Sequence, residues 1–311
     1  MDLNALDLNL IRVFDALWQE RSASRAGQRI GLSQPAVSAA LSRLRHALGD
    51  QLFVRRGNDM VPTPRAEELA PRAAAALEEV RAMLAPGPRF DPAGLERTFT
   101  FLGADFFATL FMPDLARALQ VEAPLLRLRL VDTARGDVAR MLQDDAIDMA
   151  LERPLEMPDW VRADLLFSSP FVVVAARNHP DLRDLAEGEA IPIDLFCRLD
   201  HAIRSADGRM EGAVDVALAG VGRKRRVMLG LPQFHAVALA VSQGRHVAAL
   251  PVQFARAVAG PLGLACFALP VQVPAPDISL YWHARHANDA AHRWMRRRVQ
   301  ALVVQLGFAA G

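Results

Sequence analysis

Lysine is almost missing from this chain. One lysine, Lys224, stands in 311 residues, and arginine supplies the remaining basic charge, which we read as genome composition rather than chemistry. Cysteine is nearly as scarce. Cys197 and Cys266 lie far apart in sequence, so no disulfide framework is expected and both read as buried, reduced thiols. No run of about 18 apolar residues exists to make a membrane span. The opening segment, MDLNALDLNLIRVF, lacks the basic-then-apolar order of a signal peptide. A cytoplasmic protein with no membrane partner is the expectation. A hydrophobic fraction of 52% is ample for a core and excludes disorder.

Catalytic patterns are absent too. There is no nucleophile elbow, P-loop or HExxH pair. The eight histidines show no metal-ligand spacing with the cysteines, so neither metal nor cofactor is expected. Cys197 precedes His201 without a third partner and reads as packing. Asp144, Asp145 and Asp148 read as a solvated loop, the arginines from Arg293 to Arg298 as a solvated helix face, and GRKRR at 222–226 as a surface turn.

What is present centres on residues 24–65. Ser24 is placed to cap a short helix ending near Ile30, and Gly31 supplies the corner of a helix-turn-helix. Ser33 is the next N-cap candidate, with Pro35 in the first turn, where a missing N–H is no loss. Val37, Ala40, Leu41, Leu44 and Leu48 then recur at helical spacing. The opposite face carries Gln34, Ser38, Ala39, Ser42, Arg43 and Arg45, and Gly49 ends the helix. Segments 51–54 and 60–61 read as strands around Gly57-Asn58-Asp59, a β-wing with Arg55 and Arg56 at its base. From Arg21 to Arg65 the only acidic residues are Asp50 and Asp59, in a chain whose net charge is +1. That is a local basic surface of the kind a duplex attracts.

The stretch LSQPAVSAALSRLRHALGDQLFVRRGNDMVPTPRAEELAP resembles the amino-terminal domain of LysR-type transcriptional regulators, and SAALSRLR is similar to the nodulation-regulator branch. One departure is Gly27, where the family usually has alanine; glycine inside a helix costs about 0.5–1 kcal/mol. The resemblance implies an α/β chain built from a winged helix-turn-helix (1–62), a dimerising linker helix and hinge (63–88), and a two-lobed effector domain like a periplasmic binding protein (89–311). Lobe I would comprise about 95–168 with 270–306, and lobe II about 169–269. Double-stranded DNA, a small-molecule effector and further copies of the chain are the implied partners, as a homodimer or homotetramer, with RNA polymerase beyond them. A ligand-binding protein or enzyme whose first domain only mediates assembly is the alternative.

Under this reading Gln34, Ser38 and Arg43 are placed for base contacts, Gln suiting adenine and Arg guanine. Ser33 and Pro35 stand at the helix start, Pro35 against a thymine methyl. Arg55 and Arg56 suit phosphate or the minor groove, and Arg25 and Arg65 suit phosphate. Thr63-Pro64 opens the long helix, whose Leu69, Ala73, Leu77, Val80 and Leu84 form a heptad-like stripe for a second copy, and Ala85-Pro86-Gly87-Pro88 breaks it.

The first helix is expected at 6–18. Beyond the hinge, strands are expected at 98–102, 127–131, 147–151, 165–167, 171–175, 201–204, 226–229, 246–250, 264–268 and 278–283, with Ser168-Ser169-Pro170 as a crossover. Helices are expected to about 121 with a break at Met112-Pro113, then at 137–143, 209–219, 234–242, 252–259 and 289–306. The alternation argues a parallel α/β sheet. By resemblance the effector lies between the lobes. Ala104 and Asp105 follow the first strand, where many relatives offer a hydroxyl, so an anion occupies a positive helix end. Arg135 follows the second strand, Arg153 the third, and Arg204 with Ser205 ends a strand of the other lobe. Phe106, Phe107 and Phe234 supply an apolar wall and His235 a polar edge. The predicted effector is amphipathic and ring-containing, with any acid group on Arg135 or Arg204, because a guanidinium grips a carboxylate through two parallel bonds.

Overall fold

Leu10, Val13, Phe14 and Leu17 are buried on one face of α1 (Asn9–Glu20). This helix starts later than the apolar pattern suggests, because the Asp7 carboxylate accepts the Asn9 N–H at 3.0 Å. Arg21 takes a left-handed backbone, φ 53°, so α2 (Ala23–Ile30) begins ahead of Ser24, with Ser22 at the cap position. Helix α3 (Gln34–Leu48) follows, with Ser33 accepting the Ala36 N–H and Pro35 in its first turn. Strands β1 (Phe53–Arg56) and β2 (Asp59–Pro62) pair antiparallel from Phe53↔Pro62 to Arg56↔Asp59. Arg55 and Arg56 therefore stand beside the wing's turn and not at its base. The ladder starts at Phe53 because Leu52, at φ 57°, is held by the Asp50 carboxylate. Helix α4 (Pro64–Leu84) is capped by Thr63. The computed structural model describes residues 7, 9–57, 59–85, 90–132 and 137–308; Asn58, the Pro86-Gly87-Pro88 break and Arg135 lie outside them. The chain divides into units 1–89 and 90–311.

The second unit runs β3 (Thr98–Gly103), α5 (Asp105–Leu110), α6 (Met112–Glu122), β4 (Arg127–Val131), α7 (Val138–Gln143), β5 (Met149–Glu152), β6 (Val161–Ser168) and β7 (Phe171–Ala176). It continues with α8 (Ile193–Arg198), β8 (Asp200–Arg204), α9 (Ala213–Ala219), β9 (Arg226–Leu231), α10 (Phe234–Gln243), β10 (His246–Pro251), α11 (Val252–Ala259), β11 (Leu264–Phe267), β12 (Asp277–His283) and α12 (Ala290–Gln305). Two five-stranded sheets form, ordered β4-β3-β5-β12-β6 and β11-β7-β10-β8-β9. The chain crosses between them at Ser169-Pro170 and again between β11 and β12, giving two lobes.

Each sheet is mixed, which corrects the parallel expectation. β3 runs parallel to β4 and β5, while β12 runs antiparallel to β5 and β6. In the other sheet β10 is parallel to β8 but antiparallel to β7. The odd strand of each sheet is the one on which the chain arrives from the other lobe, β7 in one and β12 in the other. Helix α9 starts at Ala213 and not at 209, because Asp215 captures the Gly212 N–H at 2.7 Å and Met210 lies over Gly230. Helix α8 had no sequence expectation, and β6 begins at Val161, earlier than expected.

The arginines of the 222–226 run are consumed by acids of the same lobe: Arg223 by Asp194, Arg225 by Asp215 and Arg226 by Asp200. In the first lobe Arg97 bridges Asp148 at 2.9 Å and Asp289 at 2.7 Å. Asp289 also caps α12 through the His292 N–H. His292 lies against the Asp148 carbonyl at 3.2 Å, and His201 of β8 against the Phe196 carbonyl at 2.7 Å. Burial pushes both histidines down to about 4, and each also faces an arginine. Their folded values lie below the unfolded one, so unfolding takes up protons in between. Stability should fall as pH drops from about 6.5 to 4, by roughly 3 kcal/mol for each fully expressed histidine. Urea midpoints across that window check this; a constant midpoint contradicts it.

Candidate nucleic-acid interface and effector cleft

The corner between α2 and α3 is tight. Gly31, at φ +74°, donates its N–H back to the Gly27 carbonyl. A Cβ on Gly27 would stand 2.4 Å from the Leu32 carbonyl oxygen, so the glycine that weakens α2 also lets the turn close against it. Burial of Val37, Ala40, Leu41 and Leu44 turns Ser33, Gln34, Pro35, Ser38, Ser42 and Arg43 to the surface. Gln34 Nε2 donates to Ser38 Oγ at 2.9 Å, and Arg43 lies 3.6 Å from the Asp7 carboxylate. Arg45 leaves the exposed face: its guanidinium donates to the Gln51 and Phe53 carbonyls at 2.8 and 2.7 Å, tying the wing to α3.

Arg55 and Arg56 are exposed on the wing. Arg25 donates to the Glu20 carbonyl at 2.6 Å, and Arg65 pairs with Glu68 at 2.9 Å. The Arg65–Glu68 ion pair is solvent-exposed and so is weak, and the Glu20 carboxylate lies a long 3.8 Å from Arg25, leaving both guanidinium groups available to exchange acidic partners. On α4, Ala66 and Ala70 pack into the first unit. Further along, Leu69, Ala73 and Leu77 are half-buried, and Val80, Met83 and Leu84 are exposed, Leu84 by 74%.

The second unit holds a cleft of about 540 Å³. Of the residues expected there, Ala104, Phe106, Arg153, Arg204, Ser205 and Phe234 line it, as does Phe107. Asp105 and His235 do not, and Arg135 is outside the described residues. Asp105 does cap a helix, but that of the other lobe: its carboxylate accepts the Phe234 and His235 N–H groups at 3.0 and 2.9 Å. It thus ties α5 to the positive end of α10 across the cleft, and His235 is held by its backbone with the side chain turned outward. The Phe106 and Phe254 rings lie tilted, 6.2 Å apart between centres.

Arg204 donates to the Pro232 carbonyl at 3.0 Å, and its guanidinium lies 5.3 Å from the Phe234 ring centre. Ser205 donates to Asp207 at 3.2 Å. The Arg209 N–H, then the Ser205 hydroxyl and the Arg209 charge, hold the Asp207 carboxyl below its ordinary value. Arg153 stands 3.5 Å from Glu152.

Sequence reasoning missed Glu152, Ser169, Asp207, Arg209, Glu211 and Arg225 in the lining. Arg225 was legible only as part of a basic run. Its side chain is buried, paired to Asp215 by two bonds of 2.8 and 2.7 Å, and lies 3.5 Å from His201 Nδ1. The lining carries Arg153, Arg204, Arg209 and Arg225 against Glu152, Asp207 and Glu211.

Residues 8–67 match the model for the bacterial regulatory helix-turn-helix protein, lysR family, and residues 92–303 match the LysR substrate binding domain. The chain belongs to the LysR family of transcriptional regulators. It is 34% identical over 297 residues to the HTH-type transcriptional activator NahR of Pseudomonas putida, covering 96% of this chain and 97% of that one. It is 31% identical to Nodulation protein D 3 of Rhizobium leguminosarum bv. phaseoli, covering 95% and 96%. Among solved structures it is similar to the probable transcriptional regulator PA0477 from Pseudomonas aeruginosa, at 36% identity and a TM-score of 0.61, covering 96% and 98%. As a LysR-type regulator it binds DNA, responds to a small-molecule effector and forms oligomers. Among the described residues no helix is long and apolar enough to cross a membrane.

The Asp105 cap generates a prediction. Asp105→Ala strands two N–H groups of α10, so this regulator should lose roughly 0.5–2 kcal/mol of stability. Equilibrium urea unfolding of the full chain reads it, and an unchanged midpoint would remove Asp105 as an inter-lobe cap.

Proposed function

We propose that the regulator reads DNA with α3 in the major groove and the wing on the backbone, pairs two copies through α4, and is switched by a ligand in the inter-lobe cleft. The observation that carries this reading is the division of α3. Its apolar face is spent on the core, and its outer face carries side chains that match base edges. Gln34, Ser38 and Arg43 make base contacts, with Ser33 and Pro35 at the groove edge. Arg55 and Arg56 grip phosphate or the minor groove, joined by Arg25 and Arg65 once these exchange their exposed acids for DNA. The apolar stripe along half-buried Leu69, Ala73 and Leu77 and exposed Val80 and Leu84 suits a second α4. Further contacts between effector units build a tetramer, and RNA polymerase is the downstream partner in the cytoplasm.

The effector is amphipathic and ring-containing. Phe106, Phe107, Phe171 and Phe234 supply faces for a ring. An acidic group is held by Arg204, already laid beside Phe234, or by Arg135. The α10 end is closed to it by Asp105.

Gln34→Ala should cost roughly 1–3 kcal/mol at the cognate site and relax sequence preference. Gel shifts on cognate and scrambled duplexes decide, and an equal loss on both reduces Gln34 to positioning. Leu77→Asp buries a carboxylate in an apolar seam, which is expensive without a partner. Sedimentation should show loss of the dimer, and wild-type mass would end this assignment. For the cleft, a thermal-shift screen of aromatic carboxylates should find a stabilising ligand whose effect Arg204→Ala abolishes while DNA affinity is kept. Equal stabilisation of both proteins rejects Arg204.

A further inference from the structure

The end of α3 and the start of α4 share one carboxylate. Gly49 closes α3 in the left-handed region, φ 64°, and Asp50 comes next. Its Oδ1 accepts the Leu52 N–H at 2.6 Å and the Thr63 hydroxyl at 2.7 Å. Thr63 in turn accepts the Ala66 N–H at 3.2 Å as the cap of α4, and its own N–H donates to the Leu52 carbonyl at 2.8 Å. Leu52 is thus clasped on both sides, in a left-handed conformation that leucine rarely adopts. The Thr63 hydroxyl and the Leu52 N–H hold the Asp50 carboxyl below its ordinary value, so the acceptor stays charged. Beyond this joint, only Ala66 and Ala70 of α4 are buried. The direction in which α4 leaves α3 is therefore fixed within its first turns.

We propose that Asp50 and Thr63 are positioning residues that set the angle between the DNA-reading helix and the dimerising helix, and through it the spacing of the two half-sites the dimer accepts. This rests on the reading above, in which α3 enters the groove and α4 pairs two copies. The lever is long. At 1.5 Å per residue, α4 extends for about 30 Å, so a tilt of about 10° at its root moves its far end by about 5 Å. One base-pair step is about 3.4 Å, so a small change at the joint costs a whole step of register between half-sites. Neither Asp50 nor Thr63 needs to touch DNA.

Selection from a random-sequence duplex library tests this on the full chain, using wild type, Thr63→Val, which keeps the shape without the hydroxyl, and Thr63→Ser, which restores it. Wild type should return paired half-sites at one spacing. Thr63→Val should return the same half-site sequence with neighbouring spacings admitted, discrimination between them falling roughly tenfold, as loss of a hydrogen bond to a charged group allows. Thr63→Ser should return the wild-type spacing. Wild-type spacing in Thr63→Val overturns the proposal. So does loss of the half-site sequence itself, which would make the bond part of the reading head's fold. Absence of paired half-sites with wild type would overturn the underlying reading of α3 and α4, and the joint's role with it.

Discussion

Burial of Val37, Ala40, Leu41 and Leu44 against α1 is the constraint on which the amino-terminal unit depends. A helix has one circumference, and once this face enters the core the remaining residues of α3 are left to solvent. The Asp50 clasp, the Arg45 bonds to the wing and the tight corner at Gly27 and Gly31 hold that division in place. The division leaves Gln34, Ser38, Ser42 and Arg43 exposed on the outer face of α3.

The effector unit solves a different problem. Two mixed sheets joined by a double crossover leave a cleft between them, and charge in that cleft is largely balanced internally. Arg225 answers Asp215, Arg209 answers Asp207 and Arg153 answers Glu152. Asp105 places an anion of the chain itself on the amide groups that open α10. The cleft therefore presents aromatic faces and internally paired charges rather than a large uncompensated field.

Local patterns were legible in the sequence, and long-range pairings were not. The bounds of α4, the caps at Ser33 and Gly49, and the break at Met112-Pro113 follow from side-chain chemistry within a few residues, and each stands as read. The sheets came out mixed because strand direction depends on partners far apart in the chain, as when β12 pairs with β5 and β6 more than a hundred residues before it. Asp105 read as an N-terminal cap but not as a cap for α10, since Phe234 is distant in sequence. Arg225 looked like one arginine of a basic turn because its partner Asp215 lies across a helix and a loop. The wing slipped along the chain because Leu52 adopts a conformation that leucine does not advertise. In the cleft, aromatic and basic residues at strand ends could be proposed from position alone, whereas the acids that answer them could not.

A chain of net charge +1 that concentrates arginine between Arg21 and Arg65 should bind a duplex mainly through that surface. The salt dependence of its duplex affinity tests this directly. Each phosphate contact adds about 0.9 to the log–log slope, so Arg55 and Arg56 in both copies of a dimer require a slope at least as steep as about −3.5. A slope near zero, with affinity retained at high salt, would contradict the account.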